Sequence, residues 1–264
     1  MNEHIHAGTY RAGAGEPLVL IHLGSSPWHK WEPVLDSLTR DFEVLITTLP
    51  GWSGGPPLGP NPTVQTHADA IEAQMDAIGW KSAHLAGNSL GGWLAFELAR
   101  RGRGRSVVAL SPAGGYDARR GRWLGRYFLW KHRLAVVSRP FVALALMIPF
   151  MRKLFFKIQI EHPERLTAQQ ATDLTRDTLL GEIPRIIPPL VADRVSPYPD
   201  LGIPAVVAWA GRDRFTRMHP DGETWRAAAP HADFRIIPDV GHLAMYDDPA
   251  AVDALIREYA SRGH

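Results

Sequence analysis

The chain has 264 residues, no cysteine, and a formal net charge of +2, with a pI near 9.0. The missing cysteines exclude disulfides, thiolate metal sites and a cysteine nucleophile, and they fit a reducing compartment. So small a net charge speaks against a nucleic-acid partner. The N-terminus MNEHIHAGTY has no basic segment leading into an apolar run, so no secretory signal is expected. The most apolar stretch, Phe141 to Phe150, is too short to span a bilayer and contains Pro149. A cytoplasmic protein with one sizeable core is therefore the expectation.

Read in chain order, only Ile5 to Arg11 is available for strand before the first strong signal. That signal is Leu18 to His22 (LVLIH), a short apolar run bounded by Gly15-Glu16-Pro17 and Gly24, which reads as a buried parallel strand. Glu43 to Thr48 reads the same way and ends at Pro50-Gly51. From Thr63 to Ile78, Val64, Ala68, Ile71, Met75 and Ile78 recur every three or four residues and form one helical stripe. A short strand at His84 to Gly87 follows, then an Ala-rich helix from Leu90 to Arg101 and a strand from Ser106 to Leu110. The alternation then breaks. From Asp117 to Tyr198 the chain looks helical, with a regular helix from Thr167 to Leu180 opening at an N-cap threonine and a hinge at Ile183 to Leu190. Strands return at Ala205 to Trp209 and Phe234 to Ile237, and a helix from Ala250 to Tyr259 closes the chain. Strands alternating with helices predict an α/β fold whose mostly parallel sheet is flanked by helices. Residues 1–116 and 199–264 would form the core. Residues 117–198 would form a helical cap inserted between the strands near 110 and 204.

The chemistry concentrates at Gly87-Asn88-Ser89-Leu90-Gly91-Gly92, which leaves a strand and opens a helix. This is the setting of a G-x-S-x-G nucleophile elbow. Gly87 and Gly91 leave room for a sharp turn that lifts the Ser89 hydroxyl clear of the sheet and aims helix amides at the reacting centre. A serine needs a base. His242, in Pro238-Asp239-Val240-Gly241-His242, follows the last strand, and Asp213, in Trp209-Ala210-Gly211-Arg212-Asp213, follows the one before. An open parallel sheet gathers its site at such strand ends. His242 would carry the proton and Asp213 would orient the imidazole. Against these roles, His242 could be a plain loop histidine, and Asp213 could simply pair with Arg212 or Arg214. Asp239 and, more weakly, Asp117 are rival acids. An oxyanion would be held by the Leu90 amide and by the loop His22-Leu23-Gly24-Ser25-Ser26-Pro27, with Gly24 favoured and Leu23 second. Ser25 or Ser26 could add a hydroxyl, and His22 would brace the loop.

Taken in order, His22-Leu23-Gly24, Leu49-Pro50-Gly51, Gly87 to Gly92, Gly211-Arg212-Asp213 and Gly241-His242 resemble the α/β-hydrolase superfamily over about Leu18–Leu110 and Ile203–Ala260. The resemblance implies a cap over the active site and no cofactor or metal. It points to the branch of small-molecule esterases, lactonases and carbon–carbon bond hydrolases. Serine at position 89 argues against the epoxide hydrolase and dehalogenase branches, which use aspartate there. Leu23 stands where the family has glycine, which alters the oxyanion loop, and Leu49 stands where it often has aspartate.

The expected reaction is hydrolysis of an ester, thioester or lactone, or of a carbon–carbon bond, in a hydrophobic small molecule through an acyl-enzyme on Ser89. Alternatives are a non-hydrolytic cyclase, lyase or acyltransferase on the same scaffold, or a hydrolase-fold ligand receptor. The pocket is expected to be large and apolar, lined by Ser25, Trp28, Trp93, Trp123 and Phe128. The inserted segment carries ten Lys and Arg residues and no acid between Asp117 and Glu161, with apolar residues interleaved. A cap with an apolar underside and a basic solvated face is preferred. A surface for a membrane or an acyl-carrier protein is the other reading. Oligomeric state is not legible.

Overall fold

The computed structural model describes residues 3–6, 9–22 and 28–263. Its sheet has eight strands: β1 (Glu3–His6), β2 (Thr9–Ala12), β3 (Glu16–Ile21), β4 (Phe42–Thr47), β5 (Ala83–Asn88), β6 (Gly104–Leu110), β7 (Ala205–Ala210) and β8 (Asp233–Ile237). They lie in the order β1-β2-β4-β3-β5-β6-β7-β8. The first two strands run antiparallel at one edge, and β4 to β8 with β3 are parallel.

The parallel strands read as unbroken apolar runs because both faces are covered. Alternate residues serve opposite faces. Leu18, Leu20, Val44, Ile46, Val108 and Val206 belong to one core cluster. Val19, Ile21, Leu45, Leu85, Val107 and Val207 belong to the other. Each such side chain stabilises by roughly 2 kcal/mol through removal from water. One face is covered by α1 (Glu32–Leu38) and α10 (Pro249–Ser261), whose Val252, Leu255, Ile256 and Tyr259 are buried. The other is covered by α2 (Val64–Ala77) and α3 (Leu90–Arg100). Thr63 starts α2 with a capping box closed by Thr66.

Between β6 and β7 the chain is helical: α4 (Ala118–Leu146), α5 (Pro149–Phe156), α6 (Ala168–Leu180) and α7 (Ile183–Ala192). Asp117 caps α4, its Oδ1 accepting from the Arg120 amide at 2.7 Å. Thr167 caps α6, as its position suggested. The expected hinge at Ile183 to Leu190 is instead α7. Pro184 fits its first turn, and the apolar face of Ile183, Ile186, Ile187 and Leu190 is buried, which outweighs the amides lost at Pro188 and Pro189. The inserted helices meet the core through Tyr116, Leu124, Phe128, Ile183, Ile187 and Phe215. After β7 come α8 (Glu223–Ala228) and, beyond β8, the short α9 (Ala244–Asp247). Strand order reverses at β3/β5, so the crevice at their carboxyl ends is where this architecture collects ligands.

Candidate active site

Ser89 sits where β5 gives way to α3, with φ 58° and ψ −116°. A left-handed backbone at a non-glycine residue costs about 1–3 kcal/mol and persists only when its surroundings enforce it. Here they do. The Ser89 amide donates to the Leu110 carbonyl at 2.9 Å, and its carbonyl accepts from the amides of Ala113 at 2.9 Å and Trp93 at 3.2 Å. A Cβ on Gly87 would collide with the Gly91 main chain, and one on Gly91 with the Ile21 carbonyl. Both glycines are therefore required by the turn.

Asp213 and His242 meet. His242 Nδ1 donates to Asp213 Oδ2 at 2.8 Å, and both side chains are sealed from solvent. The carboxylate is held by three further donors. Asp213 Oδ1 accepts from the amides of Phe215 at 2.7 Å and Thr216 at 2.9 Å, and Oδ2 accepts from Thr216 Oγ1 at 2.9 Å. This is an Asx turn that the residue itself builds. The competing partners go elsewhere: Arg212 pairs with Asp239, and Arg214 with Glu161. Asp239 is exposed and Asp117 is the α4 cap, so neither rival acid reaches His242.

His242 Nε2 is buried and has no hydrogen-bond partner among the described residues. An orphaned buried nitrogen of this kind needs a reason. It stands on the side left open once Nδ1 is fixed by Asp213, and Phe215 packs on the ring with centroids 5.0 Å apart. Asn88, one residue before the serine, ties the two loops together. Its Nδ2 donates to the His242 carbonyl at 3.0 Å and to the Leu110 carbonyl at 3.1 Å. On the far side Asp247 Oδ2 accepts from the Gly241 amide at 2.8 Å and the Glu161 amide at 2.9 Å. Thr216, Phe215 and Asp247 do not stand out in the sequence, and Asn88 does so only as part of the elbow motif. The one available signal was the Asp-x-x-Thr spacing, which suits an Asx turn.

Ser89 opens on a cavity of about 40 Å³ lined by Leu90, Trp93, Tyr116, Leu124, Phe128, Ile187, Phe215 and Thr216 among others. It is apolar, as expected, but small rather than large. Such a volume holds about three waters. Trp93 and Phe128 line it as anticipated, and Leu90 opens α3 beside the serine. Trp123 does not line it. It lies about 100° around α4 from Leu124, is 45% exposed, stacks on Tyr127 and carries Arg120 over its ring. Trp28 does not line it either: it stacks on Tyr10 at the sheet edge, with centroids 5.9 Å apart. Leu23, Gly24 and Ser25 lie outside the described residues. His22 is buried, and its Nε2 accepts from the Leu49 amide at 3.1 Å.

Comparison with known proteins agrees with this architecture. Residues 18–255 match the model of the alpha/beta hydrolase family. The epoxide hydrolase EphH of Mycobacterium tuberculosis is 30% identical over 207 residues, covering 73% of this chain and 92% of that protein. A 2-hydroxy-6-oxononadienedioate/2-hydroxy-6-oxononatrienedioate hydrolase of Pseudomonas putida is 22% identical over 97% of this chain and 91% of its own. Among solved structures, a thermophilic esterase from Thermogutta terrifontis superposes with a TM-score of 0.73 at 22% identity, covering 97% of this chain and 93% of the other. With its sheet order, elbow and match over nearly the whole core, the chain belongs to the alpha/beta hydrolase family.

Proposed function

We propose that the protein is a serine hydrolase that cleaves an acyl bond in an apolar small molecule, an ester, thioester or lactone, through an acyl-enzyme on Ser89. The observation that carries this reading is the sealed Asp213–His242 pair, which leaves Nε2 without a partner among the described residues and whose loop Asn88 ties to the strained Ser89 turn. In the first step Ser89 Oγ would add to the substrate carbonyl as its proton passes to Nε2. The oxyanion would be met by the Leu90 amide at the start of α3. Collapse would expel the leaving group with the Nε2 proton, and water activated by the same nitrogen would then release the acid. The small apolar cavity beside Ser89 suits a short acyl group, with the larger part of the substrate outside it.

The similarity to an epoxide hydrolase raises a second chemistry that the nucleophile argues against. A carboxylate that opens an epoxide forms an ester, which water can cleave at its carbonyl. A serine would form an ether, which has no carbonyl for water to attack, and turnover would stop. The test is a series of p-nitrophenyl esters of rising chain length, with styrene oxide alongside, on wild type and Ser89→Ala. Turnover favouring acetyl and propionyl esters, lost in the variant, is the expected result. Epoxide turnover that survives Ser89→Ala would overturn the reading.

A further inference from the structure

The inserted helix α4 carries two apolar stripes, and the protein uses only one. At about 100° per residue, Ala135, Val142 and Leu146 fall on one side and are buried. Trp130, Leu134, Val137, Phe141 and Leu144 recur at spacings of four, three, four and three on the opposite side, and all are exposed. Val137 is 79% exposed, Phe141 70% and Leu144 68%. The stripe continues past the end of α4 through Met147 and Phe150 to Leu154 of α5, each about two-thirds exposed. This is a contiguous apolar surface, unlike the scattered single residues of an ordinary protein exterior. The apolar underside expected to line the pocket does so near the start of α4, through Leu124 and Phe128, but not along the rest of the helix. The stripe with the larger side chains faces out.

Charge says what covers it. No aspartate or glutamate occurs from Ala118 to Ile160, whereas ten lysines and arginines do. Arg126 and Arg133 lie along the edge of the bare stripe, and Lys153 is exposed beside Leu154. Arg152 turns inward, its Nη1 donating to the carbonyls of Leu146 at 2.9 Å and Met147 at 3.1 Å, which fixes the corner between the helices. Among the described residues no helix is long and apolar enough to cross a membrane. An apolar stripe flanked by cations on a helix that does not span is the pattern of attachment in the plane of a bilayer.

We propose that the bare face of α4 and α5 docks the protein on an anionic membrane surface. A cavity of about 350 Å³ opens on the same face. Trp130, Leu134 and Leu154 belong both to its rim and to the stripe, and Gln159 lies in its wall. The Gln159 carbonyl accepts from the Leu243 amide at 2.8 Å, which ties one wall residue of the cavity to the segment that carries His242.

The experiment is co-sedimentation of the full chain with phosphatidylcholine vesicles, with and without phosphatidylglycerol. Wild type is expected to pellet with the anionic vesicles and to be released by salt. Removing two phenyl groups in Phe141→Asp/Phe150→Asp is expected to lower partitioning by at least about a hundredfold, with an unchanged melting curve because both positions are exposed. Arg133→Glu/Lys153→Glu keeps the apolar stripe and is expected to lose the preference for anionic vesicles. Failure of wild type to bind any vesicle would overturn the proposal. So would dimerisation in sedimentation velocity, or binding of an acidic carrier protein, that Phe141→Asp abolishes while vesicle binding is absent.

Discussion

Replacing Asp213 by asparagine tests the site with almost no change of shape. In the native carboxylate, Oδ1 accepts from two backbone amides and Oδ2 accepts from His242 Nδ1 and Thr216 Oγ1. The asparagine oxygen must take the place of Oδ1, because backbone N–H groups cannot accept. Its NH2 group then faces His242 Nδ1, and two donors would meet. The imidazole escapes by moving its proton to Nε2, which can no longer receive one from Ser89. Thr216 Oγ1 can turn to accept from the new amide, so the fold should lose only about 1 kcal/mol. Activity should fall far more. A positioned base contributes about 10²–10⁴-fold, and a histidine held in the wrong tautomer forfeits most of that, so a loss of about 10³-fold or more is expected, or roughly 4 kcal/mol of barrier. Steady-state kcat/KM on a short-chain ester, with a melting curve for each protein, measures both. Asp213→Asn within tenfold of wild type would refute the assignment of the acid and the tautomer argument with it.

Three further outcomes follow from the packing. Lys30 is buried, and burial first, then the charge of Lys131, lowers its pKa to about 7 from an ordinary 10.5, while Asp177, itself bonded to His29, opposes the shift. Between those values the unfolded chain holds a proton that the folded one does not, so stability rises with pH from about 7 upward, and the full cost, on the order of 5 kcal/mol, is present below it. Melting temperature should therefore climb between pH 7 and 9 in wild type and stay flatter in Lys30→Met; parallel curves would contradict this. Gly91→Ala should destabilise the protein by several kcal/mol and abolish ester turnover, because its methyl group meets the Ile21 carbonyl. A near-native melting curve would show that the elbow relaxes. Phe128→Ala, at the cavity wall against Phe215, should cost about 3 kcal/mol and move the preference to longer acyl chains; an unchanged chain-length profile would place the acyl group elsewhere.

The parts legible in the sequence are those in which one residue type is forced by local geometry. Gly87 and Gly91 mark the elbow because nothing larger fits, and the apolar strands are legible because both faces of the sheet are buried. Asp213 and His242 stand out by their place after successive strands, and the structure brings the two together. What could not be read was direction. Trp123 and Leu124 are neighbours in sequence, yet one faces solvent and the other the cavity. Both stripes of α4 are apolar, so periodicity alone does not say which is buried. That choice is made by distant partners, namely α6, α7 and the core. Trp28 failed for the same reason: its ring found Tyr10 at the sheet edge. The hinge expected at Ile183 to Leu190 is a helix because four buried aliphatic side chains hold α7.

Whether Ser89 is a nucleophile armed by His242 is decided by incubating wild type, Ser89→Ala and His242→Ala with a fluorophosphonate and mapping the adduct by peptide mass spectrometry. The expected result is one stoichiometric adduct on the peptide carrying Ser89 in wild type, none in Ser89→Ala, and labelling slowed by at least about a hundredfold in His242→Ala. A folded wild-type protein that takes no label, or takes it on another residue, would contradict it.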